Sequence, residues 1–213
     1  MNKIVSYSLW GSSPKYTIGA IKNAEQVNKF YPGWISRFYC GRSVPSNIIL
    51  DLKSIPNTEV IQMEDEGDWK SMFWRFYSAD SDDICISRDT DSRISQREVD
   101  AVNAWLNSDK DFHIMRDHPW HGHVILGGMW GSRNGILKGL IEQINSYDQQ
   151  NRYMTDQDFL KEKIYFKVRD HAMVHDPFFE KKPFPTERQP REFVGKPFDE
   201  NDNECDKLHS DLI

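Results

Sequence analysis

The sequence predicts an α/β domain with a central, mostly parallel sheet flanked by helices. Three observations carry that expectation. Strand-like and helix-like apolar patterns alternate through the first half of the chain, and the second half is more irregular. The first strand passes through a glycine-containing loop into a helix, which is half of a βαβ unit. At 213 residues the chain is long enough for one substantial core, or at most two small ones.

The elements follow in order. Residues 3–10 read as a strand, followed by the loop Gly11-Ser12-Ser13-Pro14-Lys15-Tyr16 and a helical pattern over 17–30. Tyr31-Pro32-Gly33 breaks that helix, and residues 34–39 alternate as a second strand. Ser46 is placed to cap a short helix carrying Ile48, Ile49 and Leu52, and residues 58–63 form a third short strand. Residues 69–77 make an aromatic helix, and 83–87 a strand. Ser95-Gln96-Arg97-Glu98 has the pattern of a capping box and opens a helix running to about Leu106. Residues 112–115 and 124–129 are expected strands, the second loosened by Gly127 and Gly128. Apolar residues at helical spacing predict a helix over 135–147, and Thr155 caps another running to about Lys163. These elements make a domain over residues 1–177. From 178 to 213, prolines alternate with charges before an acidic end, which reads as a wrapping segment and tail or linker, with the option of further domains beyond it.

The formal net charge is −6, so general attraction to nucleic acid or to an anionic membrane is not expected, and any phosphate site must be local. The three cysteines are an odd number without framework spacing, which points to reduced thiols and a cytoplasmic setting. The N-terminus reads directly as a strand rather than an export signal, and no run is long and apolar enough to span a membrane. Seven Trp and twelve Phe suit a core together with a stacking pocket for a flat or ring-shaped ligand.

The most informative stretch is Asp89-Thr90-Asp91, which follows the apolar strand Ile84-Cys85-Ile86 and is flanked by Arg88 and Arg93. Residues two apart on extended chain share a face, so both carboxylates can lean toward one ion. A hard divalent cation such as Mg²⁺ or Mn²⁺ takes one or two carboxylates and fills its other positions with phosphate oxygens and water. In an open parallel sheet, ligands bind beyond the carboxyl ends of the strands, where the Asp89 loop and the loop after the first strand both belong. Arg75 is a lone cation among aromatics, and its planar fork suits a diphosphate or Asp89. His118, His121 and His123 lie within six residues, but Pro119 and their spacing do not fit a zinc site.

Five phrases in order, Tyr7-Ser8-Leu9-Trp10-Gly11, Tyr31-Pro32-Gly33-Trp34, Arg88-Asp89-Thr90-Asp91-Ser92-Arg93, His113-Ile114-Met115-Arg116-Asp117-His118-Pro119 and Gly127-Gly128-Met129-Trp130-Gly131, resemble the small GT-A glycosyltransferases. These occur in bacterial surface-polysaccharide clusters and in large DNA viruses, chloroviruses included. The resemblance covers residues 1 to about 180. It implies a Rossmann-like GT-A domain, a nucleoside-diphosphate sugar donor with UDP as the expected nucleotide, and Mn²⁺ or Mg²⁺. It assigns Asp91 to the metal, Asp89 and Thr90 to the ribose or the metal's water shell, and His175, with His171 as its rival, to completing the coordination. The loop from Leu9 through Trp10 and Gly11 to Tyr16 is assigned to the base and ribose, with Arg75 and Arg88 beside the diphosphate.

Thr155-Asp156-Gln157-Asp158-Phe159-Leu160 is similar to a phrase of glycogenin-like and lipopolysaccharide galactosyltransferases, which retain anomeric configuration. For retention these groups bind sugar hydroxyls or support an oxocarbenium ion. For inversion Asp158 or Asp156 is the general base. Asp117 and His118 are expected to face the sugar, and Trp120 and Trp130 to shape the acceptor cleft. The function so implied is hexose or deoxyhexose transfer to a glycan or glycoprotein acceptor, with retention, in glycoprotein or surface-polysaccharide synthesis. For a viral chain the setting is the host cytoplasm. The alternatives are an inverting transferase, a non-catalytic sugar-nucleotide or glycan-binding module, and a metal-dependent phosphohydrolase.

Overall fold

Alternation along each strand decides which side of the sheet a residue serves. In a computed structural model that describes residues 1–205, β1 (Lys3–Leu9) sends Val5, Tyr7 and Leu9 into one apolar layer. Ser6 and Ser8 face the other way and hydrogen-bond to a 3₁₀ helix, Trp69–Ala79. In β4 (Ile84–Ser87) Ile84 and Ile86 join the first layer and Cys85 the second. In β5 (Phe112–Met115) Phe112 and Ile114 belong to the second.

The first layer is covered by α1 (Pro14–Phe30), α2 (Ser46–Ser54) and α3 (Gln96–Leu106). The second is covered by the 3₁₀ helix, α4 (Leu140–Ser146) and a helical stretch over 155–168. That stretch comprises α5 (Thr155–Phe159), a π turn (Leu160–Ile164) and α6 (Tyr165–Val168).

The remaining strands are β2 (Ile35–Cys40), β3 (Thr58–Gln62), β6 (Trp130–Ser132) and β7 (Ala172–His175), and the sheet order is β3-β2-β1-β4-β6-β5-β7. Every neighbouring pair is parallel except the two that involve β6. The chain runs outward from β1 through β2 to β3, then returns to β4 on the other side of β1. The order therefore reverses between β1 and β4, and the loops leaving their carboxyl ends part to form a crevice. Because β6 runs backwards, the loop preceding it lies at this same edge, where Ser87 pairs with Trp130.

Several element boundaries differ from the sequence reading. Residues 124–129 form no strand, because Gly127 and Gly128 run beneath charged side chains of the crevice, and the pairing falls on Trp130–Ser132 instead. The expected helix over 135–147 is confined to Leu140–Ser146, since Asn134, Gly135 and Gly139 adopt positive φ and hold turns. Only half of the capping box at Ser95 forms. Its hydroxyl accepts from the Glu98 amide, while the Glu98 carboxylate turns to Arg88 and Tyr31.

Beyond residue 178 the chain lies across the ligand edge of the domain. Phe184 and Val194 are buried with Ala101, Met115 and Met129. The Phe198 amide donates to the Asp91 carbonyl at 2.7 Å, and Ser92 bridges Pro197. The acidic end, residues 206–213, lies outside the described residues. Cys40 and Cys85 are buried and unbonded, and no helix among the described residues is long and apolar enough to cross a membrane.

Candidate functional site

At the β1/β4 crevice lies a cleft of about 660 Å³, within the size range of small-molecule sites. The loop after β1 supplies Trp10, Gly11, Ser12 and Ser13, and the first turn of α1 supplies Lys15 and Tyr16. The loop after β4 supplies Asp89, Thr90 and Asp91; the reversed entry to β6 supplies Gly127 and Gly128; and the approach to α5 supplies Tyr153, Met154, Asp156 and Gln157. Segments distant in sequence meet here because their strands end side by side.

At the floor is a chain of charges. Arg75 projects from the 3₁₀ helix and is nearly buried, with Nη1 2.8 Å from Asp89 Oδ1 and Nη2 2.7 Å from Asp156 Oδ2. Its backbone amide donates to Ser8 Oγ at 2.9 Å, so β1 fixes the base of this arginine. A Cβ at Gly127 would collide with Arg75 and Asp156, and one at Gly128 with the Asp89 carboxylate. The paired glycines let the backbone pass under this bridge. Burial raises the Asp156 carboxyl above the usual range, against the opposing charge of Arg75, and among the described residues neither its Oδ1 nor Gln157 Oε1 has a hydrogen-bond partner.

Asp91 stands apart from that bridge, with Oδ2 2.8 Å from Lys15 Nζ. Burial, and then the charge of Asp89, raise its pKa, while Lys15 pulls it down. The backbone of the loop is clamped independently of these charges. Asn23 of α1 donates to the carbonyls of Thr90 (2.9 Å) and Ser92 (3.0 Å), and Gly19 leaves room for Thr90 to lie against the helix.

Among the described residues no group of three or more His, Cys, Asp or Glu is arranged to hold a metal ion. The donors present are the two hard carboxylates of Asp89 and Asp91, beside open cleft. That set fits a Mg²⁺ or Mn²⁺ ion taking its remaining ligands from phosphate and water, and does not fit an all-protein cage.

The structure brings Leu9, Trp10, Gly11, Tyr16, Arg75, Asp89, Thr90, Asp91, Asp156 and Gln157 to one cleft. It sets others elsewhere. His175 does not line the cleft: its Nδ1 lies 2.8 Å from His113 Nε2 and its ring packs on Phe184, so this buried seam, not a metal, takes up its nitrogen. Arg88 is buried against Glu98 at 2.7 Å and against the Ser87 and Trp130 carbonyls, so it braces α3 to the sheet and cannot reach a diphosphate. Asp117 is wholly buried between Arg97, Arg188 and the Val194 amide, anchoring the C-terminal segment. Its neighbour His118 is buried against Phe193. Asp158 turns outward to Arg152. Trp130 is fully buried, stacked on Phe112, whereas Trp120 does line the cleft and is half exposed.

The sequence reading missed five contributors. Lys15 could have been found from its place in the first turn after the β1 loop. Trp69 and Tyr153 pack edge to face at 5.4 Å on the rim and are exposed, an arrangement no local pattern announces. Gly195 and Pro197 reach the cleft only through the return of the C-terminal segment.

No protein-family model matches the chain, and no curated protein matches it. Solved structures do share its fold. A glycosyltransferase involved in the glycosylation of the major capsid of PBCV-1 superposes with a TM-score of 0.51 at 18% identity, over 82% of this chain and 82% of that one. The 4-diphosphocytidyl-2C-methyl-D-erythritol synthase of Anaerococcus prevotii gives 0.53 at 11% identity, over 88% of this chain and 94% of that one.

Proposed function

We propose that this chain, which has the GT-A fold, is a metal-dependent glycosyltransferase. It moves a hexose or deoxyhexose from a nucleoside-diphosphate sugar, with UDP as the expected nucleotide, to a hydroxyl of a glycan or glycoprotein acceptor. The observation that carries this reading is the meeting of the Asp89–Arg75–Asp156 bridge with the Asp91–Lys15 pair in a cleft of nucleotide-sugar size at the sheet's switch point. Hydrolytic phosphate chemistry gains no comparable support, since four exposed aromatics, Tyr16, Trp69, Trp120 and Tyr153, line the same cleft and suit rings more than bare phosphate.

Each group has a task on this reading. Asp91 and Asp89 would hold a divalent ion, whose positive charge would offset the charge that builds on the departing diphosphate. The dipole of α1 favours the same anion at its N-terminal end, where Pro14 has no N–H and the Tyr16 and Thr17 amides already donate to the Ser13 carbonyl. Arg75 keeps Asp89 and Asp156 in fixed orientation. Gln157 Oε1 and Asp156 Oδ1, both without protein partners, are the groups left to bind the transferred sugar.

Retention is supported by the placement of the two acids: Asp158 is committed to Arg152, and Asp156 gives one oxygen to Arg75. One observation favours inversion instead, namely the unpartnered Oδ1 and raised pKa of Asp156, which suit a general base. A donor panel with Mn²⁺ and NMR of the product's anomeric proton tests both. Transfer from a UDP-sugar with the donor's configuration is the expected result. An inverted product moves the base role to Asp156, and no sugar transfer from any donor overturns the assignment.

A further inference from the structure

The two cations of the cleft are held in different ways. Arg75 is fixed: it bridges two carboxylates, its side chain is almost entirely covered, and Gly127 and Gly128 press against the bridge. Among the described residues Lys15 has one carboxylate partner, Asp91. Its side chain is 29% exposed on a flexible four-carbon stem, and it lies over the Tyr16 ring at 5.1 Å. We infer that Lys15 is an exchangeable counter-ion, neutralising Asp91 until a diphosphate and a divalent ion arrive together, and then passing to the diphosphate. The inference rests on reading the cleft as a nucleotide-sugar site.

Charge balance gives the reason for exchange. Three carboxylates, Asp89, Asp91 and Asp156, face two cations, Lys15 and Arg75, so the cleft carries about one negative charge. A divalent ion entering alone would reverse that sign and sit beside an ammonium already committed to Asp91. When the ion enters with a diphosphate, the new anion offers Lys15 a partner and restores the balance. Lys15 therefore opposes the bare ion and favours the ion–nucleotide complex. It sets the order of binding through its own contact with the diphosphate.

The test is Mn²⁺ binding to the full chain, read by the EPR signal of the free ion, with and without UDP. Lys15→Met should bind Mn²⁺ alone about tenfold more tightly than wild type, and Mn²⁺ with UDP about tenfold more weakly. Lys15→Arg keeps the charge and should match wild type toward Mn²⁺ alone. Adding Asp91→Asn to Lys15→Met should remove the gained affinity, which locates the ion at Asp91. If wild type binds Mn²⁺ with UDP but Lys15→Met leaves Mn²⁺ alone unchanged or weaker, the exchange is wrong and the donor site stands. If wild type binds no Mn²⁺ with UDP, the donor reading itself falls and the exchange with it.

Discussion

Asp89 and Asp91 are two residues apart yet belong to different charge systems. Asp89 shares Arg75 with Asp156, so its loss leaves the arginine a second carboxylate and keeps the floor of the cleft in place. Asp91 has no such reserve: it is the carboxylate beside open cleft whose cation is replaceable. Asp91→Asn is therefore expected to weaken Mn²⁺-dependent UDP binding by about 100-fold, and Asp89→Asn by about tenfold, with thermal melting nearly unchanged in both. Calorimetric titration of UDP with Mn²⁺ measures the difference, and equal losses would contradict it. The motif was legible in sequence because strand alternation is local. Arg75 was legible as a partner for Asp89 and pairs with it at 2.8 Å, whereas the Lys15–Asp91 pair was not, since the two lie 76 positions apart and only the sheet order joins them.

At the scale of elements, the β5–β7 seam is held by a hydrogen-bonded pair of buried histidines, His113 and His175. Burial lowers the pKa of His113 well below its usual value, with the charge of His175 adding to the effect. Burial and Arg97 bring His175 down to about 4, against the pull of Asp117. Both rings are thus neutral in the folded chain at pH 7. In the unfolded chain they take up protons as pH falls through about 6.5, so between about 6.5 and 4 the unfolded state binds more protons. Stability is complete above that window and declines through it, by roughly 3 kcal/mol for His175 alone. Melting followed from pH 7 to pH 4.5 should show the decline, and His175→Gln should flatten it. The same seam explains why a histidine at a strand end looked like a ligand: sequence shows the residue type, while the parallel register of β5 and β7 decides what its nitrogen meets. The regular strands and α1 to α3 were readable from periodicity. The turns at 133–139 were not, because three positive-φ residues interrupt an otherwise helical apolar pattern.

For the molecule as a whole, the segment beyond residue 178 is part of the folded body. It brings Arg188 and the Val194 amide to the buried Asp117, adds Phe184 and Val194 to a core cluster, and donates to the Asp91 carbonyl through the Phe198 amide. A chain ending at residue 177 leaves Asp117 short of two partners and uncovers Ala101, Met115 and Met129, against which Phe184 and Val194 pack. The expected cost is about 5 kcal/mol or more, comparable to the stability of a whole domain. Such a chain should lack a cooperative thermal transition, and a full melt by circular dichroism decides it. Charge and proline content suggested a wrapping segment and tail or linker but not which residues dock, because burial of a few apolar side chains within a polar segment leaves no periodic trace.

The reversed strand β6 has a further consequence for how such a domain diversifies. β5 ends and β6 begins on the ligand edge, so the connection over residues 116–129 leaves and re-enters the sheet on one side only. Trp120, His121 and His123 ride on that excursion, while the strands that anchor it are buried. One wall of the cleft is in effect a cassette. A change in its length or sequence would re-cut that wall, while the walls built on β1, β4 and α1 keep their own foundations.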